Sequence, residues 1–331
     1  MKVLVTGASG FLGKRLSLYL QQKGLEVWGT SRLVGWLTFL IESQRFTADL
    51  SQPGGVEEVC SLIHRESFDA IIHCAALCKT WGDEALIYKT NVVASVALFR
   101  QCQESGVPHF LQISSPSVFA ALEHRLLLTE SDCFASPLNA YAGSKQELER
   151  QLCSMNSRGE TALSILRPQA MFGVGDPHLL PKLIRLSRYQ GVPLIREGEH
   201  FIDITPVDNV VAAIDAILCE KGRGEVQLYN FSEPSVMNFK AQLEAVFMAC
   251  GEPIRWREVS LSTARLVAHV LEGGARLMHR SQEPKLTKYK LSVLAYSRTL
   301  DSSKLSRLPG YIPVISMEET LNQIRYNYNQ R

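Results

Sequence analysis

The stretch 5-VTGASGFLG-13 decides which fold the rest of the chain has to complete. Its three glycines, Gly7, Gly10 and Gly13, follow the apolar run at residues 2–5. A strand before such glycines and a helix after them let backbone N–H groups approach a pyrophosphate at the helix N-terminus. Glycine clusters also form plain turns without a ligand, so the remaining sequence has to distinguish the two interpretations.

Short β-branched runs alternate with longer amphipathic patterns through the first half of the chain. We predict strands and helices in the following order: strand 2–6, helix 11–24, strand 25–30, strand 68–76, helix 83–106, strand 109–115, helix 138–155 and strand 161–168. This alternation is typical of a parallel sheet with helices on both faces. We therefore predict an α/β protein with a Rossmann-type doubly wound parallel sheet.

The pattern is less regular after Pro168, where helices predominate. The elements predicted there are helices at 177–191, 206–222, 239–251 and 261–280 and one late strand at 225–231. We expect a smaller, mostly helical C-terminal substrate lobe. The predicted domain boundaries are 1–167 for the dinucleotide-binding domain, with a return segment at about 205–231, and 168–204 with 232–331 for the substrate lobe.

The predicted helix at 261–280 places Leu266, Val270 and Leu271 along one face, and Gly273-Gly274 offers a bend. Such a face lines an apolar pocket or forms a lid in some enzymes. An ordinary packed amphipathic helix has the same pattern, and both interpretations stay open.

Composition excludes several classes of protein. The 331 residues carry a formal net charge of +2, which provides no strong field for nucleic acid or an anionic membrane. The eight cysteines form no C-x-x-C pair, so we predict no metal site. Apolar runs such as 33–41 fall well short of the ~20 residues that span a bilayer. We expect a soluble, cytoplasmic protein.

Segment 33–41 would cover an adenine, contact another subunit or add a helical turn.

The end of the second predicted strand bears on the choice of coenzyme. An acidic residue there binds the ribose hydroxyls of NAD, whereas an arginine meets the 2′-phosphate of NADP. Arg32 offers that partner, with Ser31 as a second donor. We therefore favour NADP, with NAD as an alternative, although a strand-end arginine can also be merely solvated. Asp49 and Leu50 follow the next short strand and would frame the adenine.

Three side chains are suited to carbonyl chemistry. Tyr141 and Lys145 lie four residues apart on a predicted helix and so share one face. Ser115 ends the preceding predicted strand, at the sheet edge where ligands bind. A phenol with pKa ~10 needs a nearby cation to act as an acid–base catalyst at neutral pH, and Lys145 would supply it. Ser115 would hydrogen-bond the carbonyl oxygen.

These features together resemble the extended short-chain dehydrogenases/reductases of the NAD-dependent epimerase/dehydratase superfamily. The motifs in common are TGASGFLG at 6–13, ADL at 48–50, HCAA at 73–76, TNVVAS at 90–95, ISSPSVF at 113–119, YAGSK at 141–145, LRP at 166–168 and PVDNVV at 206–211. The resemblance implies that Ser115, Tyr141 and Lys145 are catalytic and that Asn91 supports their hydrogen-bond network. Ser115 aligns with the family serine better than Ser114 does.

The resemblance, together with the arguments from the glycine loop, the strand ends and the catalytic chemistry, predicts a set of coenzyme-binding residues. They are Gly7, Ser9, Gly10, Phe11, Leu12, Gly13, Ser31, Arg32, Asp49, Leu50, Cys74, Ala75, Ala76, Tyr141, Lys145 and Pro168. Family members often dimerise by packing two helices, which correspond to 83–106 and 138–155, against a second copy. A homodimer is therefore expected.

Within the superfamily the chain resembles the 3β-hydroxysteroid dehydrogenase-like branch, in particular the bacterial 2-alkyl-3-oxoalkanoate reductases. The stretches that carry this likeness are AALCKTWGDEALIYKTNVVAS, LRPQAMFGVGDPHLLPKL and IDITPVDNVV. This likeness implies an NAD(P)(H)-dependent oxidoreductase that reduces a ketone, or oxidises the secondary alcohol, on a largely apolar β-keto acid or sterol-like molecule.

Two alternatives stay open. Nucleotide-sugar epimerases and dehydratases, which keep NAD tightly bound, commonly carry an asparagine soon after the strand that ends here in LRPQAMFG and an arginine near HFIDITPVD. The first stretch has no asparagine and His200 precedes Phe201, which argues against such a substrate, although Arg196 lies nearby. The second alternative is a non-catalytic dinucleotide sensor. A sensor does not need the serine, tyrosine and lysine, so the presence of all three argues against this alternative.

Overall fold

The computed structural model describes residues 1–156, 160–177, 179–220, 224–233 and 237–329. Residue 178 of the predicted helix 177–191 and residues 221–222 of the predicted helix 206–222 lie outside these ranges. No helix within the described ranges combines the length and the apolar character that crossing a membrane requires.

The strands, in chain order, are β1 (Lys2–Thr6), β2 (Glu26–Ser31), β3 (Arg45–Thr47), β4 (Ala70–His73), β5 (His109–Ile113), β6 (Arg125–Leu128), β7 (Ala162–Pro168), β8 (Ala170–Phe172), β9 (Val192–Leu194), β10 (Ile204–Pro206), β11 (Val226–Phe231), β12 (Trp256–Glu258) and β13 (Arg298–Leu300). The helices are α1 (Phe11–Gln22), α2 (Pro53–Arg65), α3 (Glu84–Tyr88), α4 (Ala94–Glu104), α5 (Ala140–Met155), α6 (Leu179–Tyr189), α7 (Val207–Cys219), α8 (Phe239–Ala249), α9 (Leu261–Leu277), α10 (Lys288–Ala295), α11 (Ser303–Ser306) and α12 (Met317–Asn329).

Seven strands form one sheet in the order β11-β7-β5-β4-β1-β2-β3, and every neighbouring pair is parallel. The predicted doubly wound parallel sheet is therefore confirmed. From β1 the chain first extends the sheet through β2 and β3 and then continues on the other side of β1 with β4. This reversal opens a crevice at the carboxyl ends of β1 and β4, which is where α/β sheets bind ligands.

Alternation along the buried strands separates two cores on opposite faces of the sheet. In β1, Val3 and Val5 belong to one core and Leu4 to the other. The first core packs the sheet against α1 and α7, and the second packs it against α2, α4 and α5. In α1 the predicted stripe of Leu12, Leu16 and Leu20 is at most 5% exposed, so the helical periodicity determines which side faces the sheet.

The helix predicted over 83–106 is divided into three consecutive parts. Asp83 caps the N-terminus of α3 by accepting a hydrogen bond from the Leu86 amide, and α4 completes the helix. Between them Lys89–Val93 forms one π-helical turn. Such turns are often found at functional sites because they shift the side chains that follow.

The second half of the chain builds small two-stranded sheets around the helices. β8 pairs with β10, β9 with β12, and β13 with β6. The last pairing brings residues 125–128 of the first half against the C-terminal part. The predicted domain boundaries stay a prediction.

Helix α9 does not use its predicted apolar face as a pocket lining. Leu266, Val270 and Leu271 are 64%, 59% and 39% exposed, respectively. The buried face carries small side chains, including Ala264 and Ala268, because α10 packs closely there. The helix continues through Gly273 and Gly274, so these glycines do not interrupt α9.

Segment 33–41 adds helical turns, which was one of its three predicted roles. Its Val34–Leu37 part forms a 3-10 turn in which Leu37 is buried. Leu40 packs against Gly29 so closely that a Cβ at that glycine would lie 2.5 Å from the Leu40 Cδ1 atom. Trp36 is 52% exposed beside the end of β2. The segment therefore covers the edge of the apolar core next to Arg32.

Candidate active site

The glycine loop after β1 is shaped by close backbone approaches. Gly7 has a φ of +65°, and a Cβ there would lie 2.9 Å from the Ala75 backbone at the end of β4. The Gly10 amide donates to the Gly7 carbonyl oxygen at 2.9 Å. A Cβ at Gly13 would lie 2.3 Å from that same oxygen. Only glycine fits Gly7 and Gly13 without moving the backbone.

The N-terminus of α1 is open toward the crevice. Gly10 occupies the N-cap position, no side chain caps the helix, and the first turn carries no acidic residue. First-turn N–H groups are therefore available to an anion, and the helix dipole favours one. A dinucleotide pyrophosphate fits this loop. Phe11 is half-buried, whereas Leu12 and Gly13 pack inward, so these two have only backbone groups to offer a coenzyme.

Two serines connect the glycine loop to the end of β2. The hydroxyls of Ser9 and Ser31 are 2.7 Å apart, and Ser31 is buried. Arg32 is exposed beside them. Burial acts to raise the pKa of Asp49, but hydrogen bonds with Ser51 and the charge of Arg32 lower it below its usual value. Arg32 and Asp49 thus lie within electrostatic reach of each other, where an adenosine ribose would sit.

The remaining predicted coenzyme residues line the strand ends. Cys74, Ala75 and Ala76 follow β4 and are half-buried, whereas Leu50 and Pro168 are buried. Burial raises the pKa of the Cys74 thiol to about 12, so this sulfur stays protonated.

The structure brings Ser115 and Tyr141 together. Ser115 begins a 3-10 turn after β5, where its hydroxyl accepts from the Ser117 amide at 3.2 Å. Tyr141 lies in the first turn of α5, and its hydroxyl interacts with Ser115 and with the Cys78 thiol. Burial raises the Tyr141 pKa well above its usual value, and the hydrogen bond with Ser115 opposes this rise. The phenol is therefore protonated at neutral pH.

Lys145 lies one helical turn beyond Tyr141 and is only 2% exposed. Its Nζ donates to the Ile113 carbonyl oxygen at the end of β5, at 2.9 Å. Burial lowers the Lys145 pKa, while Cys78 and Glu149 act in the opposite direction. Lys145 is thus fixed between the strand end and the helix. That it lowers the pKa of Tyr141 stays a prediction.

Asn91 is buried in the π-helical turn and connects two parts of the site. Its Oδ1 accepts from the Leu77 amide at 2.7 Å, and its Nδ2 donates to the Ser144 hydroxyl at 3.1 Å. Ser144 lies between Tyr141 and Lys145 in α5. Asn91 therefore holds the loop after β4 against the helix that carries both side chains.

The neighbouring Ser114 has a different environment. Its hydroxyl donates a very short hydrogen bond to Glu149, a buried carboxylate that also binds Arg167 with a distance of 2.6 Å between Oε2 and Nη2. Ser114 is thus held in the protein interior, whereas Ser115 interacts with Tyr141.

A cavity of about 430 Å³ lies beside the start of α5. Its lining includes Trp81, Asn139, Glu272 and Arg276, so charged, polar and apolar side chains all border it. The Trp81 Nε1 donates to the Arg280 carbonyl oxygen at 2.9 Å, which joins the loop after β4 to the segment after α9. The buried side of α9, not its predicted apolar face, borders this cavity.

Sequence reasoning missed three side chains at the site: Cys78, Tyr289 and Arg298. Cys78 and Tyr289 both act on the Tyr141 pKa. Tyr289 also hydrogen-bonds Arg298. No local motif marks Tyr289 or Arg298, because they reach the site only when α10 and β13 fold against the sheet, about 150 residues away in sequence from Tyr141. In the part of the chain that the structure describes, no three His, Cys, Asp or Glu side chains are grouped to hold a metal ion.

Comparison with known proteins gives a consistent result. The model of the NAD dependent epimerase/dehydratase family matches residues 3–231. The chain is 28% identical to the 2-alkyl-3-oxoalkanoate reductase of Shewanella oneidensis, over 97% of this chain and 84% of that protein. It is 27% identical to 3beta-hydroxysteroid-dehydrogenase/decarboxylase isoform 1 of Arabidopsis thaliana, over 77% of this chain and 61% of that protein.

Solved structures share the fold. The UDP-glucuronic acid 4-epimerase of Bacillus cereus, in complex with UDP-glucuronic acid and NAD, superposes with a TM-score of 0.74. That alignment covers 100% of this chain and 99% of the epimerase at 20% sequence identity. Such a likeness establishes the architecture and leaves the substrate to be argued from the site.

Proposed function

The chain belongs to the NAD dependent epimerase/dehydratase family, and we propose that it is an NADP(H)-dependent ketoreductase for a largely apolar 3-oxo acid or sterol-like ketone. An NAD(P)-dependent oxidoreductase of the extended short-chain type is the activity that the family and the relatives indicate. The observation that carries the finer proposal is the hydrogen bond between Ser115 and Tyr141, with Lys145 one helical turn away and bonded to the end of β5.

In this mechanism the bound coenzyme supplies the hydride that reduces the carbonyl carbon. The Ser115 hydroxyl donates a hydrogen bond to the substrate's carbonyl oxygen and holds it beside Tyr141. Tyr141 then delivers its phenolic proton to that oxygen as negative charge develops there. Lys145 is held by the Ile113 carbonyl, where its ammonium group would stabilise the phenolate and hold the nicotinamide ribose.

The protonation state of Tyr141 suits the role of proton donor in the reduction of a ketone. Its burial raises the phenol's pKa, so a proton is present for donation across the neutral range. Oxidation of an alcohol needs the deprotonated form, which is the rarer one for such a group. We therefore assign the proton-donor role to Tyr141.

The substrate class rests on the curated relatives and on two departures of the sequence. A 2-alkyl-3-oxoalkanoate reductase and a 3beta-hydroxysteroid dehydrogenase are both similar to this chain. At the position after Pro168 there is Gln169, whose Nε2 donates to the Arg298 carbonyl oxygen at 2.9 Å. Arg196 is hydrogen-bonded to His124 at 2.7 Å. The two departures are the absence of an asparagine from LRPQAMFG and the presence of His200 before Phe201, and the nearby Arg196 is already bonded to His124.

The test uses purified protein in the oxidative direction, because 3-hydroxy acids are stable whereas 3-oxo acids lose carbon dioxide. The protein is mixed with NADP⁺ and a 2-alkyl-3-hydroxy acid, and formation of the reduced coenzyme is followed. We expect turnover with the hydroxy acid and none with UDP-glucose or UDP-glucuronic acid. Conversion of a UDP-sugar without net coenzyme reduction would instead identify an epimerase. Coenzyme binding without turnover of any alcohol or ketone tested would indicate a sensor.

Arg32 is expected to select NADP(H). Replacement by alanine removes a charged hydrogen bond to the 2′-phosphate, so KM for NADPH should rise about 10- to 100-fold. KM for NADH should change by less than about three-fold, since NADH has no such phosphate. Steady-state kinetics with both coenzymes measure this, with the exposed Arg65→Ala on α2 as the matched control. An equal rise in KM for NADH and NADPH would show that Arg32 does not bind the 2′-phosphate.

Two further expectations concern the assembly and location of the protein. Pairing of the helices at 83–106 and 138–155 with those of a second copy stays a prediction, as does a cytoplasmic location.

A further inference from the structure

Among the residues that the structure describes, Arg298 is a buried cation without a carboxylate partner. Its side chain is 9% exposed, and its Nε has no hydrogen-bond partner among the described residues. No ion pair within those residues includes Arg298. Burial lowers its pKa, which reflects the cost of keeping this charge away from water. Buried charges are normally paired, so this one is incomplete in the protein alone.

Arg167 provides the comparison within the same chain. It is also buried, at 1% exposure, but its guanidinium binds the Glu149 carboxylate through three hydrogen bonds. Within the described part of the chain, Arg167 is thus a buried arginine with its acid and Arg298 a buried arginine without one. The difference suggests that the missing acid at Arg298 comes from a ligand.

The backbone at Arg298 is fixed on several sides. Its amide donates to the Phe201 carbonyl oxygen at 2.9 Å, and its own carbonyl accepts from the buried Gln169 side chain at 2.9 Å. Strand pairing between β13 and β6 adds a third restraint. The side chain is therefore anchored in advance, which reduces the entropy that a bound ligand has to overcome.

Two connections lead from Arg298 toward the reaction site. Gln169 directly follows β7, and β7 lies beside β5, whose end leads to Ser115. From the other side, Tyr289 on α10 interacts with both Arg298 and Tyr141. Tyr289 therefore connects Arg298, the cation without a carboxylate, to Tyr141, the phenol that would protonate the substrate.

We propose that Arg298 binds the carboxylate of a 3-oxo acid substrate, with the Tyr289 hydroxyl as a second donor. The planar guanidinium matches a carboxylate in two parallel hydrogen bonds. In a 3-oxo acid the carboxylate and the ketone are separated by one carbon, so an anchor at Arg298 positions the ketone oxygen toward Ser115 and Tyr141. This assignment rests on the proposed ketoreductase function and adds the acid group as its recognition element.

The experiment compares a 2-alkyl-3-hydroxy acid with its methyl ester, which has the same carbon chain without the charge. Arg298→Gln should raise KM for the acid about 10- to 100-fold, as expected for losing hydrogen bonds to a charged group. Turnover of the ester should change by less than about three-fold. Arg196→Gln, an exposed arginine of the same part of the chain, is the matched control and should leave both substrates unaffected.

A second measurement does not need turnover. In the presence of NADPH, which cannot accept a hydride, the hydroxy acid should raise the melting temperature of the wild-type protein and should fail to raise that of Arg298→Gln. If that variant does not fold, Arg298→Lys keeps the charge but loses the paired geometry, and should bind the acid with intermediate affinity. Two results would overturn the carboxylate assignment alone. The wild-type protein could have a lower KM for the ester than for the acid, or the Arg298 variant could lose activity toward acid and ester equally. Wild-type protein that oxidises neither compound overturns the ketoreductase function as well.

Discussion

Tyr141→Phe is expected to lower kcat by about 100- to 10,000-fold, which is the range for loss of a positioned general acid. Phenylalanine keeps the ring that packs in the first turn of α5 but removes the hydroxyl that would deliver a proton to the substrate oxygen. NADP(H) affinity should stay within about three-fold, because the hydroxyl acts mainly in the transition state. Single-turnover kinetics and coenzyme titration separate the two effects.

Tyr88→Phe is the matched control. This tyrosine lies on α3, 44% exposed, and its hydroxyl accepts only a long hydrogen bond of 3.5 Å from Gln151. It should retain wild-type turnover, and both variants should melt within a few degrees of the wild type. Full activity of Tyr141→Phe would refute the proton-donor assignment, even if Ser115 and Lys145 proved essential.

Local sequence was sufficient to predict the part of the site that lies on the sheet. The three glycines at 7–13 need only their immediate neighbours, because the strand before and the helix after them set the geometry of the loop. Tyr141 and Lys145 share a face because helical periodicity requires it. Ser115 could be placed near them because consecutive strands of a doubly wound sheet end at the same edge.

Other parts depend on contacts that no local pattern encodes. Helix α2 begins with Pro53-Gly54-Gly55, a run typical of a turn, and is stabilised by packing its apolar face against the sheet. The exposed leucines of α9 follow the same periodicity as a buried stripe, so the sequence could not tell which face packs. Arg298 lies in a three-residue strand, and its burial and its contact with Tyr289 depend on tertiary packing that no local pattern indicates.

Glu149→Leu is expected to destabilise the protein by about 3–5 kcal/mol, the usual cost of leaving a buried charge without its partner. Glu149 and Arg167 have side chains that are only 2% and 1% exposed, and Glu149 also holds Ser114 beside the active site. Removing the carboxylate leaves the Arg167 guanidinium in the core with only a 3.3 Å hydrogen bond to Asn230 and the faces of Phe119 and Phe134. Denaturant unfolding with constant m-value measures the loss.

The double variant Glu149→Leu/Arg167→Met distinguishes an unpaired charge from a simple packing defect. Since replacing both partners removes the buried charge, it should recover most of the stability lost in the single variant. The exposed pair of Arg150 and Glu147 is the control, with side chains 58% and 32% exposed, and Arg150→Ala should cost less than about 1 kcal/mol. If the double variant is as unstable as Glu149→Leu, the loss comes from packing around Ser114 and the helix, and the ion pair is not what holds the end of β5 in place.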